Sequence, residues 1–142
     1  MVIDITKKII FSLDEAKNLL PLLVYITEKI KSDVDYLEQQ LKRIENQTQD
    51  RNEEIKNQIR ILTEQWHKKV ERTGAKAKGL WIVDFDNGLG YFCWKYPEPD
   101  IVYFHGYDDG FTGRKVIASI QDGVINDSRI STDQSNTGLF QQ

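Results

Sequence analysis

Cys93 and His105 are the residues of this chain best suited to covalent or metal chemistry. A thiol beside an imidazole makes an activated nucleophile or half of a metal site. Around them stand Asp84, Asp86, Glu98, Asp100, Asp108 and Asp109, and two or three carboxylates with His105 suffice for a divalent cation. The candidate ligand set is His105, Glu98, Asp108 and Asp109, with a divalent metal as the possible cofactor, although the spacing matches no EF-hand loop. Asp86 and Asp108 also have a plain reading as turn residues. Asp109-Gly110-Phe111-Thr112-Gly113-Arg114 reads as a tight loop that brings Arg114 inward, to clamp a carboxylate or phosphate or to brace Glu98 or Asp100. It is not a phosphate-binding P-loop, because the Lys-Ser/Thr ending is missing. The competing reading makes Cys93 a small buried hydrophobe and His105 a strand-end residue satisfied by a backbone or carboxylate partner.

These residues fall on a β-rich stretch. Residues 80–85 are β-branched and aromatic, and Asp86-Asn87-Gly88 is a turn signal in which Asn-Gly suits a type I′ hairpin. Leu89 to Lys95 reads as the return strand, Tyr96 to Pro99 as a second turn, and Asp100 to His105 as a third strand. Gly106 to Arg114 reads as a loop, and Lys115 to Ile120 as a short edge strand. Cys93 and His105 then lie on neighbouring strands of a meander. A five-residue loop from Tyr96 to Asp100 puts both on one face, and a four-residue loop puts them on opposite faces. The aromatics Trp81, Tyr91, Phe92, Trp94, Tyr96, Tyr103 and Phe104 exceed what one face needs, so the second face is expected to be aromatic and exposed, as a partner surface would be.

Upstream, the period changes to that of helices. Ser12 followed by Glu15 has the spacing of a capping box. Leu13, Ala16, Leu20, Leu23, Thr27, Ile30, Val34, Leu37, Leu41 and Ile44 then alternate steps of three and four, a heptad seam with one polar interruption at Thr27. Pro21 inside it predicts a kink or break. Asn46 to Asn52 reads as the bend. A second helix carries Ile55, Ile59, Leu62, Trp66, Val70 and Thr73 and ends at Gly74. The expected architecture is α+β: a long antiparallel two-helix hairpin, coiled-coil-like, over about residues 12–74, then a small antiparallel β-meander over about 79–118. Residues 1–118 make one domain, and 119–142 read as a polar tail, flexible or loosely docked.

Composition narrows the function classes. The chain of 142 residues carries a net charge of -3. Ser12 to Lys78 holds 13 basic and 12 acidic side chains, and everything from Gly79 onward holds 4 basic and 9 acidic. No basic stripe exists to follow a phosphate backbone, which argues against nucleic-acid binding. A single cysteine excludes an intrachain disulfide and fits a reducing compartment. No stretch reads as a signal peptide or a membrane span, so the expected location is the cytoplasm.

Several blocks also resemble a known family. The chain is similar to the uncharacterised bacterial family known as domain of unknown function 2203, over roughly residues 9–117. That family pairs an N-terminal helix motif, here Phe11-Ser12-Leu13-Asp14-Glu15-Ala16-Lys17-Asn18-Leu19-Leu20-Pro21, with a β-motif. The β-motif here reads Gly79 to Phe85, Tyr91-Phe92-Cys93-Trp94-Lys95, Glu98-Pro99-Asp100-Ile101, Phe104-His105 and Gly110 to Arg114. Three positions depart from the pattern. Phe104 and Gly106 stand where the family usually has Trp and an acidic residue, and Pro97 stands where it often has Gly. The resemblance implies a similar fold and no activity, and it draws attention to Cys93, Trp94, Glu98, His105, Phe111 and Arg114.

Two functions compete. The first is a non-enzymatic binding or scaffolding protein, a homo-oligomer or partner-binding module that associates through its hairpin or aromatic sheet face. The alternative is a metal- or small-anion-dependent enzyme using Cys93, Glu98, His105 and Arg114. His67, the other histidine, reads as a surface residue of the second helix.

Overall fold

The structure, a computed structural model, describes residues 9–43 and 48–117. The expected tail at 119–142, the seam residue Ile44 and the start of the bend lie outside these residues. Two helices, α1 (Leu13–Arg43) and α2 (Gln49–Arg72), pack side by side as an antiparallel hairpin and are followed by an antiparallel sheet. The sheet runs β1 (Lys76–Ala77), β2 (Ile82–Asp86), β3 (Gly90–Lys95), β4 (Tyr103–Gly106) and β5 (Lys115–Val116), paired in chain order as a meander. This is the α+β architecture the two sequence periods imply. Among the described residues no helix is long and apolar enough to cross a membrane.

Ser12 and Glu15 form the reciprocal capping box: the Ser12 amide donates to Glu15 Oε1 at 2.9 Å and the Glu15 amide donates to Ser12 Oγ at 3.0 Å. The seam residues from Ala16 to Val34 are buried, Thr27 included. Its hydroxyl accepts the indole N–H of Trp66 at 2.8 Å, so the polar break in the seam is a buried inter-helix hydrogen bond. Pro21 does not break α1. It lies on the exposed side of the helix, where water can take the Lys17 carbonyl that loses its partner. α2 starts inside the expected Asn46–Asn52 bend, because Thr48 caps it, its hydroxyl accepting the Arg51 amide at 3.1 Å. At the other end Gly74 has φ +99°, which suits the turn out of α2.

The sheet departs from expectation in three places. β1 precedes Gly79, where Ala75-Lys76-Ala77-Lys78 carries no strand signal of its own; pairing with β2 makes it a strand. The third strand begins at Tyr103 rather than Asp100. The first hairpin turns on Gly88-Leu89, since the Asn87 amide donates to the Gly90 carbonyl at 2.9 Å, and Gly88 has φ +93°, the sign a type II′ turn reserves for glycine. Asn87 serves beside the tip, where its side-chain oxygen accepts the Leu89 and Gly90 amides.

One sheet face is the core. Val83, Phe85, Phe92, Trp94 and Phe104 pack with Leu20, Leu23, Trp66 and Val70 of the hairpin. Edge-to-face pairs at 5.3 Å (Phe11 and Phe85) and 5.1 Å (Trp66 and Trp81) join the elements. Each such side chain contributes about 1.5–3 kcal/mol by leaving water.

Candidate metal centre

The other face is not the exposed aromatic surface the composition suggests. Asp84, Cys93 and His105 point there from three adjacent strands. Asp84 is the register partner of Cys93, Cys93 that of Tyr103, and Tyr91 that of His105. This is the parity of the five-residue loop, so thiol and imidazole share a face. Gly90 lets β4 approach: a Cβ there would lie 2.5 Å from the His105 carbonyl oxygen. The tyrosines of this face, Tyr91 and Tyr103, are half-buried. Lys78 stands over the Tyr91 ring at 4.6 Å, and the Arg114 guanidinium lies 3.9 Å from the centre of Tyr103 and 4.1 Å from that of Phe111.

The three side chains converge. One ligand atom from each of Asp84, Cys93 and His105 lies within 4.8 Å of the others, and all three residues are buried, at 2%, 0% and 4% exposure. His105 Nδ1 sits 2.9 Å from the Gly106 carbonyl oxygen, and Nε2 sits 3.1 Å from Asp84 Oδ2. A carbonyl only accepts, so Nδ1 carries the proton, and in a neutral ring Nε2 presents its lone pair to the carboxylate. Two acceptors face one another, and that arrangement asks for a further proton or a cation between them. Asp84 Oδ1 is buried and receives no hydrogen bond from the described residues. The Lys78 ammonium lies 3.5 Å from Asp84 Oδ2.

Cys93 is not poised as a nucleophile. Burial first, and then the Asp84 carboxylate, push its thiol well above the usual range; Arg114 pulls the other way and is outweighed. The free thiol is therefore neutral at physiological pH, and a bound metal ion would be needed to make it a thiolate.

The remaining candidates have other partners. Arg114 donates to both Glu98 oxygens, at 3.0 and 2.9 Å. Burial works against the guanidinium charge, but Glu98 outweighs it and the Arg114 pKa is raised. Glu98 Oε1 also accepts the Lys95 amide at 2.8 Å, so the expected ligand or acid/base is a turn brace. Trp94 projects to the core face, where its indole N–H donates to the Glu98 carbonyl at 2.8 Å. Asp86 accepts from the Tyr107 hydroxyl at 2.6 Å and the Gly88 amide at 2.9 Å, and Asp100 pairs with Lys17 at 3.4 Å. Asp108 is exposed, and Asp109 Oδ2 accepts the Gly106 amide at 3.1 Å. Of the expected ligand set, His105 alone enters the cluster, and its partners are Asp84 and Cys93 rather than Glu98, Asp108 and Asp109. A signal for Asp84 was present: an aspartate between Val83 and Phe85 in mid-strand goes against strand preference. Nothing in the sequence marked Lys78.

A sulfur, a nitrogen and an oxygen donor suit a borderline divalent cation such as zinc or cobalt. The hydrogen bond from His105 Nδ1 to a backbone carbonyl is the outer-shell contact that orients a metal-ligating imidazole. Tetrahedral zinc spaces such donors ~3.3–3.6 Å apart, so a set within 4.8 Å would have to close by at most about 1.5 Å to hold an ion.

The fold and this cluster define a class: an α+β protein whose meander packs a helical hairpin on one face and buries an Asp–Cys–His triad on the other. The chain belongs to the family described as Uncharacterized conserved protein (DUF2203), which it matches over residues 9–117. No curated protein and no solved structure matches it.

Proposed function

We propose that this protein binds a divalent transition-metal ion through Asp84, Cys93 and His105. The observation that carries the reading is the imidazole Nε2 held 3.1 Å from a buried carboxylate while Nδ1 is engaged by a backbone carbonyl. Three protein ligands leave a tetrahedral ion one position for an exogenous ligand, as in catalytic zinc sites. That supports the metal-dependent alternative with a different set of residues, and it leaves Glu98 and Arg114 as the brace of the β3–β4 turn. The test is elemental analysis of the purified, tag-free protein after zinc supplementation, beside His105→Ala. About one equivalent of metal is expected in the wild type and a small fraction of that in the variant. Equal, substoichiometric metal in both overturns the reading.

A scaffold that self-associates through its hairpin is the second reading, supported by Leu22, Tyr25, Tyr36 and Ile61, large side chains exposed on α1 and α2. The mass in solution decides it: a strict monomer at high concentration removes it. We place the protein in a reducing compartment, the cytoplasm, where a lone thiol persists.

A further inference from the structure

A cleft of about 180 Å³ is lined by Asp84 and His105 together with Lys78, Ile82, Tyr107 and Phe111. It is smaller than the ~300–1,000 Å³ of sites for drug-sized ligands, so its occupant has only a few heavy atoms. Resting on the metal reading, we infer that the open coordination position takes a small carboxylate-sized anion, one oxygen on the metal and the other on the Lys78 ammonium.

Charge and placement carry this. Asp84 and a Cys93 thiolate neutralise a divalent ion, and Lys78 adds a positive charge beside it, 3.5 Å from Asp84 Oδ2. Once Asp84 ligates the metal, part of its negative charge is withdrawn from Lys78, and an anion bridging metal and ammonium replaces it. Asp109, the other acidic residue at the rim, is exposed and turns Oδ2 to the Gly106 amide, 3.1 Å away. That amide occupies the carboxylate, whereas the Lys78 ammonium, on a side chain 41% exposed, is held 3.5 Å from Asp84 Oδ2. Ile82 and Phe111 give the cleft apolar walls that suit the short carbon end of such a ligand.

The test uses the full chain loaded with cobalt(II), with acetate as the probe. A thiolate-to-cobalt absorption band reports the metal site, and the cobalt ligand-field bands report its open position. Acetate is expected to shift the ligand-field bands saturably, while neutral acetamide does not. Lys78→Met is expected to weaken acetate binding at least tenfold while keeping the thiolate band, and Lys78→Arg to restore most of it. No thiolate band in the wild type overturns the metal reading and this inference with it. A thiolate band with ligand-field bands blind to acetate overturns the inference alone. Acetate binding equal in wild type and Lys78→Met likewise overturns it, because the ammonium is then not the anchor.

Discussion

The two faces of the sheet are built from alternate residues of the same strands, yet they obey different energetics. Val83 and Phe85 enter the core while Asp84, between them, enters the triad; Phe92 and Trp94 do the same on either side of Cys93. The core face gains free energy from each group it removes from water. The triad face buries a carboxylate with one oxygen that receives no hydrogen bond from the described residues, and an imidazole whose Nε2 sits 3.1 Å from the other. Burial of that kind costs free energy unless a proton, an ammonium or a metal compensates. The apolar face therefore holds the fold, and the polar face holds a buried carboxylate that the exposed Lys78 ammonium compensates only in part.

That contrast is most forcefully broken from the core side. Phe92→Ala is expected to destabilise the protein by about 3–5 kcal/mol, seen as a lower denaturant midpoint, because the side chain is 1% exposed and the sheet cannot collapse around the cavity. Next in size, saturating zinc at a hundredfold excess over its dissociation constant should stabilise the wild type by about 2.7 kcal/mol, and His105→Ala by far less. Equal thermal shifts in the two proteins would make the triad face merely polar.

Gly90→Ala couples the two faces. Its Cβ meets the His105 carbonyl, so β4 must move away from β3. A loss of about 1–3 kcal/mol is expected in denaturation, together with weaker metal binding. The smallest effect is pH-dependent. The folded thiol of Cys93 holds its proton to a higher pH than the unfolded one, so its stabilising contribution is complete below about pH 8.5 and is lost as pH rises above that. Melting of metal-stripped protein across the alkaline range should therefore fall more steeply for wild type than for Cys93→Ala. Parallel curves would mean the thiol is less buried than the structure shows.

Much of the architecture was legible because it follows from local periods. The three-four seam specified α1 and α2, and β-branched and aromatic runs specified β2 and β3. Thr27 looked like a flaw in the seam until Trp66 arrived from 39 residues away in the chain to occupy its hydroxyl. β1 was invisible because two residues carry no period, and only pairing with β2 makes them a strand. The site was legible in part: Cys93 and His105 stood out by type, but Glu98, Asp108 and Asp109 were equally plausible partners on sequence distance.

What the sequence determined by itself was the helical hairpin and the strands after β1, the core-facing alternation and the two residue types able to bind a metal, since helix and strand periods are written residue by residue. What only the tertiary structure decided was which carboxylate joins them. The Cys93–Tyr103 and Asp84–Cys93 registers place Asp84 with the thiol and imidazole, while Arg114 holds Glu98 in the turn. A one-residue slip in either register would send every side chain of a strand to the opposite face, and that choice is made by turn geometry and by packing against the hairpin, which no local pattern encodes.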